Sequence, residues 1–485
     1  MLEHAEGMYA MSSYDPNDFI VLYPGVYTEK EKALAEKYLA DNKALEERGD
    51  IDVQALIRGT LPKDTPGIGS SYVASEAMIR YNNEKYDPEN PVLNDAEYAG
   101  KIGYKDIIAM PCFGANDDIF MVPYPPDARD TLLVSQLNHS ITSYVPVYPG
   151  DTLFLVANSR HVTDYTPTEG SIYRSIVLRS TGSIYNQRGE KVNDVVWRVT
   201  ESLKIFKEGK RPGKMGFRDM WEAPEWMSRP AHYYTDEDWE TIKDLWSKER
   251  RRGNEVLYWE DVKIGDEPTW TVDGPVLESL APTKPWGMGT GGSRTMKKEI
   301  MDPEIFKTMI RDEKDGIYRL PNREDYVPAI PDDPATVPMP PMHEEGGAEI
   351  DTADIHKQTE SRAVLINFLG RDLAVRHINN WMGDHGWIRN IRWGIMPVEA
   401  HAALGKNVPV NPDAEYFLGK IPHMKGKHAL AHGLTGDLAL VKSYVYDKYF
   451  LDDEPLVELG WWIETIEGDI WLEGGATVRL PSRRA

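Results

Sequence analysis

The sequence predicts an α+β protein made of two copies of one unit, each a helix followed by an antiparallel meander. Three observations predict it. Between Ile68 and Phe206 a short helical stretch precedes four strand-like runs separated by turn residues. The C-terminal part presents strand-like runs in the same order. A Gly-Asp pair, Gly150-Asp151 in one half and Gly436-Asp437 in the other, leads each time into a long alternating strand.

The first element is a helix from Thr28 to Gly49. Thr28 caps it, Glu31 completes a capping box, and Gly49 offers a stop. Leu34, Tyr38, Leu39 and Leu45 give it a partly apolar face over a charged remainder, the pattern of a helix packed on the outside of a domain. Residues 1–67 are accordingly assigned to an N-terminal helical extension. Unit 1 covers 68–206. Its helical stretch is Ser75–Tyr81, and its strands are Leu132–Val145, Thr152–Val162, Tyr173–Tyr185 and Asp194–Phe206. Tyr148-Pro149-Gly150-Asp151, Thr166-Pro167 and Asn186-Gln187-Arg188-Gly189 supply the turns between them.

A linker, 207–255, is rich in Lys, Arg, Pro and Trp and ends in a second capped helix. Thr235 starts that helix, Trp239, Ile242, Leu245 and Trp246 share a face, and Gly253 stops it. Unit 2, 256–485, opens at Val256–Asp266 and has its helix near Gly370-Arg371-Asp372, running past His377 and Trp381. Its later strands are Leu440–Phe450, Val457–Ile466 and Ile470–Leu480. An irregular insertion, about 282–360, separates the opening from the helix; loops this long are functional or disordered.

Composition narrows the function classes. There are 55 basic against 78 acidic side chains, a formal charge of −23, which opposes nucleic-acid binding and charge-driven docking on anionic membranes. The single cysteine, Cys112, excludes a disulfide framework or a Cys-rich metal site within one chain; beside Pro111 it reads as core packing. No run reaches the roughly 20 apolar residues of a membrane helix. Met1–Glu6 lacks the basic and apolar regions of a signal peptide, so a cytoplasmic protein is expected.

Five segments carry a resemblance. They are Asp87–Ala99, with Asn90-Pro91 inside it; Ile107–Phe113; Pro146–Leu153; Trp381-Met382-Gly383-Asp384; and the ending Gly475–Ser482. In their order they resemble the MaoC-like family of acyl-thioester hydratases and dehydratases in its fused, double-hotdog form. That resemblance implies two antiparallel sheets, each wrapped around a central helix. The family's segment reads Asp-x-Asn-Pro-x-His, followed by an acidic residue and a Tyr/Phe-Ala pair. Here Leu93 holds the histidine position and Pro88 the aspartate position, with Asp87 one residue early. Leucine has no proton to exchange. The resemblance therefore implies that unit 1 is the degenerate half and that chemistry lies in unit 2. Unit 2 lacks the whole motif; its closest fragment is Pro341-Met342-His343-Glu344-Glu345.

The family's reaction adds water to an enoyl thioester or removes it from a 3-hydroxyacyl thioester. It needs a base for water, an acid for the α-carbon, and N–H donors at the thioester oxygen. The candidate catalytic residues are His343, as the base the resemblance suggests, and the adjacent Asp384 and His385, as an acid–base couple or as a turn capping the helix. The candidate substrate-binding residues are Asp87 and Asn90 in the motif remnant, together with Gly370, Arg371 and His377. Gly370 offers a bare N–H or an ordinary helix-start turn, Arg371 a carboxylate or phosphate contact or a surface charge, and His377 a ligand contact or a packed imidazole. The carboxylates Glu344, Glu345, Asp351 and Asp354, with the imidazole of His356, match no ligand spacing, so no metal is expected. Gly287–Gly292 lacks the Lys-Ser/Thr ending of a phosphate loop. No cofactor is expected beyond coenzyme A as part of the substrate. The expected partners are a small acyl thioester and further copies of the chain in a homo-oligomer. Two alternatives stand beside hydration: a non-catalytic thioester-binding or partner subunit, and a thioesterase.

Overall fold

The computed structural model describes residues 40–115, 132–164, 173–204, 230–276, 293–319, 367–394, 417–427, 429, 433–434 and 436–484. Of the N-terminal helix, residues 40–48 (α1) are described and are helical; Thr28, Glu31, Leu34, Tyr38 and Leu39 lie outside the described residues. A short helix, α2 (Val53–Ile57), comes next, capped by Asp52, whose carboxylate accepts from Gln54 N and Ala55 N.

Unit 1 contains β1 (Tyr72–Ala74), α3 (Glu76–Tyr86), α4 (Pro91–Asn94), α5 (Ala96–Ile102), β2 (Leu132–Ser143), β3 (Asp151–Asp164), β4 (Tyr173–Asn186) and β5 (Lys191–Lys204). The linker holds α6 (Asp236–Lys248). Unit 2 contains β6 (Thr271–Asp273), α7 (Ser293–Met301), α8 (Pro303–Phe306), the hairpin β7–β8 (Ile310–Arg311 with Tyr318–Arg319), and α9 (Asn367–Met382). Strands β9 (Trp387–Gly394), β10 (Ala439–Leu451), β11 (Glu454–Glu464) and β12 (Ile470–Arg479) complete it.

The α+β expectation is met, and the strand order exposes the duplication. The large sheet runs β1-β3-β4-β5-β2-β9-β12-β11-β10-β6. Each half reads, in its own chain order, first–third–fourth–fifth–second, so the halves are topological copies joined at their second strands. There β2 and β9 pair antiparallel with Ile141 opposite Ile391. One continuous ten-stranded sheet therefore stands where the sequence suggested two separate ones. The physical reason is that an exposed second-strand edge in each copy is an unpaired row of N–H and C=O groups, and pairing the two edges removes both.

The repeated Gly-Asp pair folds into the same turn twice. Gly150 (φ +84°) donates to Ala74 O at the end of β1, and Asp151 accepts from Tyr148 N. Gly436 (φ +92°) donates to Val276 O beyond β6, and Asp437 accepts from Leu434 N. Glycine adopts this backbone without the steric cost a Cβ brings.

The two long helices α3 and α9 touch and share one apolar core with the sheet, through Met78, Ile79, Leu369, Leu373 and Ile378 among others. Ser75 Oγ caps α3 by accepting from Met78 N. α9 is buried nearly all round, including Arg371, Asp372, Arg376, His377 and Asn379, so each of these polar groups needs a partner inside the protein. Strand β11 is buried on both faces because Phe417, Leu418, Ile421 and Met424 cover its far side. A Cβ on Gly460 would stand 2.8 Å from Ile421.

Two boundaries differ from expectation. α6 ends at Lys248, with Glu249 as its C-cap, rather than at Gly253. Part of the insertion is regular: 293–319 forms α7, α8 and the β7–β8 hairpin, which pack with α6 around Trp239 and Trp246. Its apolar residues recur at helical spacing only over short stretches, too short to mark it as regular in the sequence. Among the described residues no helix is long and apolar enough to cross a membrane, and none of their His, Cys, Asp and Glu side chains gather in a group able to hold a metal ion.

Candidate active site at the seam of the two units

The segment after α3 supplies one wall. Asn83, buried within α3, donates to Leu93 O (2.7 Å) and Ile108 O (2.9 Å) and accepts from Met110 N (3.0 Å), which pins these three points of the following segment to the helix. Asn90 caps α4 by accepting from Val92 N, with Pro91 at the first helical position, where its missing N–H costs nothing. Asn90 Nδ2 donates to Asp87 Oδ2 (2.9 Å), and Asn94 Nδ2 donates to Asp87 O. Asp87 is fully enclosed; burial raises its pKa, although Arg251, Asn90 and Arg376 pull the other way. Leu93, at the position of the family's histidine, is 2% exposed and lies on the pocket wall.

The end of α9 supplies the other wall. Gly383 (φ +74°) turns the chain where a Cβ would stand 2.8 Å from Gly253 O, and Asp384 N donates to that same carbonyl. The Asp384 carboxylate is 1% exposed. Its Oδ1 accepts from Arg251 Nη2 (2.5 Å) and its Oδ2 from the Tyr98 hydroxyl (2.6 Å). Burial, then the bond to Asp384, push Tyr98 up to about 12, so the phenol keeps its proton. Arg251 Nη2 also donates to Asn90 Oδ1 (2.7 Å), tying unit 1 to unit 2. Asn379 Nδ2 reaches Asp87 Oδ2 at 3.5 Å.

Between the walls is a pocket lined by Asn90, Leu93, Asn379, Asp384 and the apolar Val92, Tyr104, Ile108, Pro111, Met382, Trp387 and Ile388. It has about 30 Å³ of water-accessible space, enough for about one or two waters.

Several sequence candidates meet here and others do not. Asp87, Asn90 and Asp384 come together. His385 does not join them: it points to Asn254, its Nε2 lying 2.8 Å from that side chain's Oδ1, so it forms no couple with Asp384. Adjacent residues at the end of a helix diverge, and these two diverge across the linker. His377 sits within α9 between Thr271 Oγ1 and Ser443 Oγ, each 2.8 Å from a ring nitrogen. Burial, then Arg376, lower its pKa to about 3, so it is a neutral, packed imidazole away from the pocket lining.

Gly370 is not the start of its helix but lies inside α9, packed so closely on β12 that a Cβ would stand 2.2 Å from Leu472 Cδ2. Arg371 is not at the surface. It is buried, its Nε and Nη2 donating to Asp372 at 2.9 and 3.0 Å, with the guanidinium 5.1 Å from the Trp393 ring centroid. His343, Glu344, Glu345, Asp351, Asp354 and His356 lie outside the described residues.

The sequence reading missed Arg251, Tyr98 and Asn379. Tyr98 stood in the Tyr-Ala pair of the motif remnant, and Arg251 in the run Arg250-Arg251-Arg252 just before unit 2 opens. Only the fold brings them to Asp384.

No protein-family model matches the chain, and no curated protein matches it. Similar solved structures include MaoC-like dehydratases and a double-hotdog protein. One is a MaoC-domain dehydratase protein of Chloroflexus aurantiacus, 10% identical, covering 86% of this chain and 94% of that one at a TM-score of 0.43. A second is a MaoC-like dehydratase, 14% identical, covering 86% and 97% at 0.41. A third is a double-hotdog protein of Mycobacterium tuberculosis, 10% identical, covering 90% and 99% at 0.40.

Proposed function

We propose that the chain binds an acyl thioester at the seam of its units and adds water to, or removes it from, the enoyl/3-hydroxyacyl pair there. The observation that carries this reading is the buried Asp384 carboxylate on the wall of the seam pocket, facing the Asn90-Pro91 segment. In the hydration direction Asp384 accepts a proton from water as the oxygen bonds the β-carbon, and returns it to the α-carbon. The space present suits the reacting water. Val92, Ile108, Met382 and Trp387 offer the apolar wall along which the acyl chain lies. The Tyr98 hydroxyl, donating to Oδ2, fixes the carboxylate's orientation.

Leu93 favours a second reading, binding without turnover, because it puts an apolar side chain where the family's histidine acts. One experiment separates the two. Enoyl-CoA thioesters of graded chain length are mixed with the protein, and the enoyl absorbance and product mass are followed. Hydration predicts falling absorbance, a product heavier by one water, and a loss of about a hundredfold or more in Asp384→Asn. Tight thioester binding with no absorbance change for any chain would establish the second reading. Release of free coenzyme A would mark hydrolysis instead.

A further inference from the structure

The linker is built into the seam. Arg252 N donates to Asn380 O (2.9 Å) and Arg252 Nε to Trp381 O (2.7 Å), satisfying carbonyls that the end of α9 leaves open. Gly253 O takes the Asp384 N–H, and Asn254 meets His385. This capping carries Arg251 to the one place where it reaches both units. A single nitrogen, Nη2, bonds Asn90 Oδ1 of unit 1 and Asp384 Oδ1 of unit 2. Among the described residues, the buried Arg251 Nε and Nη1 atoms meet no hydrogen-bond partner, so the guanidinium is held at this spot at a desolvation cost. Its neighbour Arg250 points outward to Glu255.

We infer that Arg251 is a positioning residue of the seam site: the linker delivers it to set the Asp384 carboxylate against Asn90. For its effect on turnover, this inference rests on the hydration reading given above. The bridge itself does not.

Two measurements separate them. The first is a double-mutant cycle on thermal unfolding with Arg251→Met, Asp384→Asn and the double variant, with no thioester present. A bridge predicts non-additivity, the double variant losing little more than Arg251→Met alone. Additive losses would overturn it. The second is turnover. Arg251→Met lowers kcat by about tenfold or more with KM little changed, added guanidinium restores part of it, and Arg250→Met leaves both constants as they were. A purely structural arginine would show no rescue by guanidinium, and that result would overturn the positioning role. A wild-type chain that turns over no thioester, with a non-additive cycle, sinks the hydration reading and leaves the bridge in place.

Discussion

The two halves of the sheet have the same strand order, yet they differ in the segment between the long helix and the next strand. In unit 1, α3 runs into residues 87–131, which include α4, α5 and the motif remnant, before β2 begins. In unit 2, α9 ends at Met382 and β9 begins at Trp387. So unit 1 contributes the segment with α4 and α5, and unit 2 contributes the end of a helix and a buried carboxylate. The duplication made two copies of the scaffold and one copy of the wall. The resemblance puts catalysis in unit 2 and two binding candidates, Asp87 and Asn90, in unit 1; in the fold, residues of both halves and of the linker meet at one seam.

Two asparagines sharpen this contrast. Asn83 and Asn379 each stand three residues before the last residue of their helix, α3 and α9. Asn83 holds its own unit's loop by three hydrogen bonds, whereas Asn379, with no such loop in its own unit, reaches Asp87 of the other. Asn83→Ala would leave two carbonyls and one N–H without these partners in a buried place, at a cost of about 3 kcal/mol. Asn379→Ala gives up one long contact, 3.5 Å, and costs under about 1 kcal/mol. Urea unfolding of both variants checks the pair. Equal losses would mean that the loop is not held mainly from its own helix.

How much of this was legible depends on the range of the interactions. The strands, the cap at Thr235 and the Gly-Asp turns are local, so residue order and alternation place them. The resemblance led to Asn90 and Asp87, whose bonds to each other and to Val92 N lie within a few residues. Asp384 is legible from its neighbours, but its partners are not: His385 is adjacent in sequence, while Arg251 and Tyr98 are distant. A contact between Tyr98 and Asp384 leaves no periodic trace in either segment. Arg371 and His377 look available in the sequence because a helix that is buried all round has no polar face to mark which side is wet.

His377 offers the next test, again by contrast between the helices. Unit 2 places a titratable ring inside its helix core, bonded to Thr271 of β6 and Ser443 of β10. Its pKa is lowered from 6.5 to about 3. As pH falls below 6.5 the unfolded chain binds a proton that the folded chain refuses, so stability is full above that value. It declines down to about pH 3, below which both states are protonated. Between pH 7 and pH 5 the loss from this group is about 2 kcal/mol. Wild type should therefore show a steeper fall in unfolding free energy over that interval than His377→Gln. Parallel pH curves for the two proteins would show that His377 does not set the slope.

The smallest effect tests whether the copies are equivalent where they look equivalent. Gly150 and Gly436 both have positive φ, +84° and +92°, and a Cβ at either would meet nothing within 4 Å among the described residues. Each glycine donates its N–H to the segment at the end of the short first strand of its unit. Alanine at either position meets no steric neighbour and bears only the backbone cost of a left-handed conformation, about 1 kcal/mol. The two single variants should lose the same stability to within a few tenths of a kcal/mol, and the double variant should lose the sum, since the turns lie in different halves. A large difference between the singles would show that the turns, alike in hydrogen bonding, carry different strain. The likeness of the halves would then hold for topology but not for energetics.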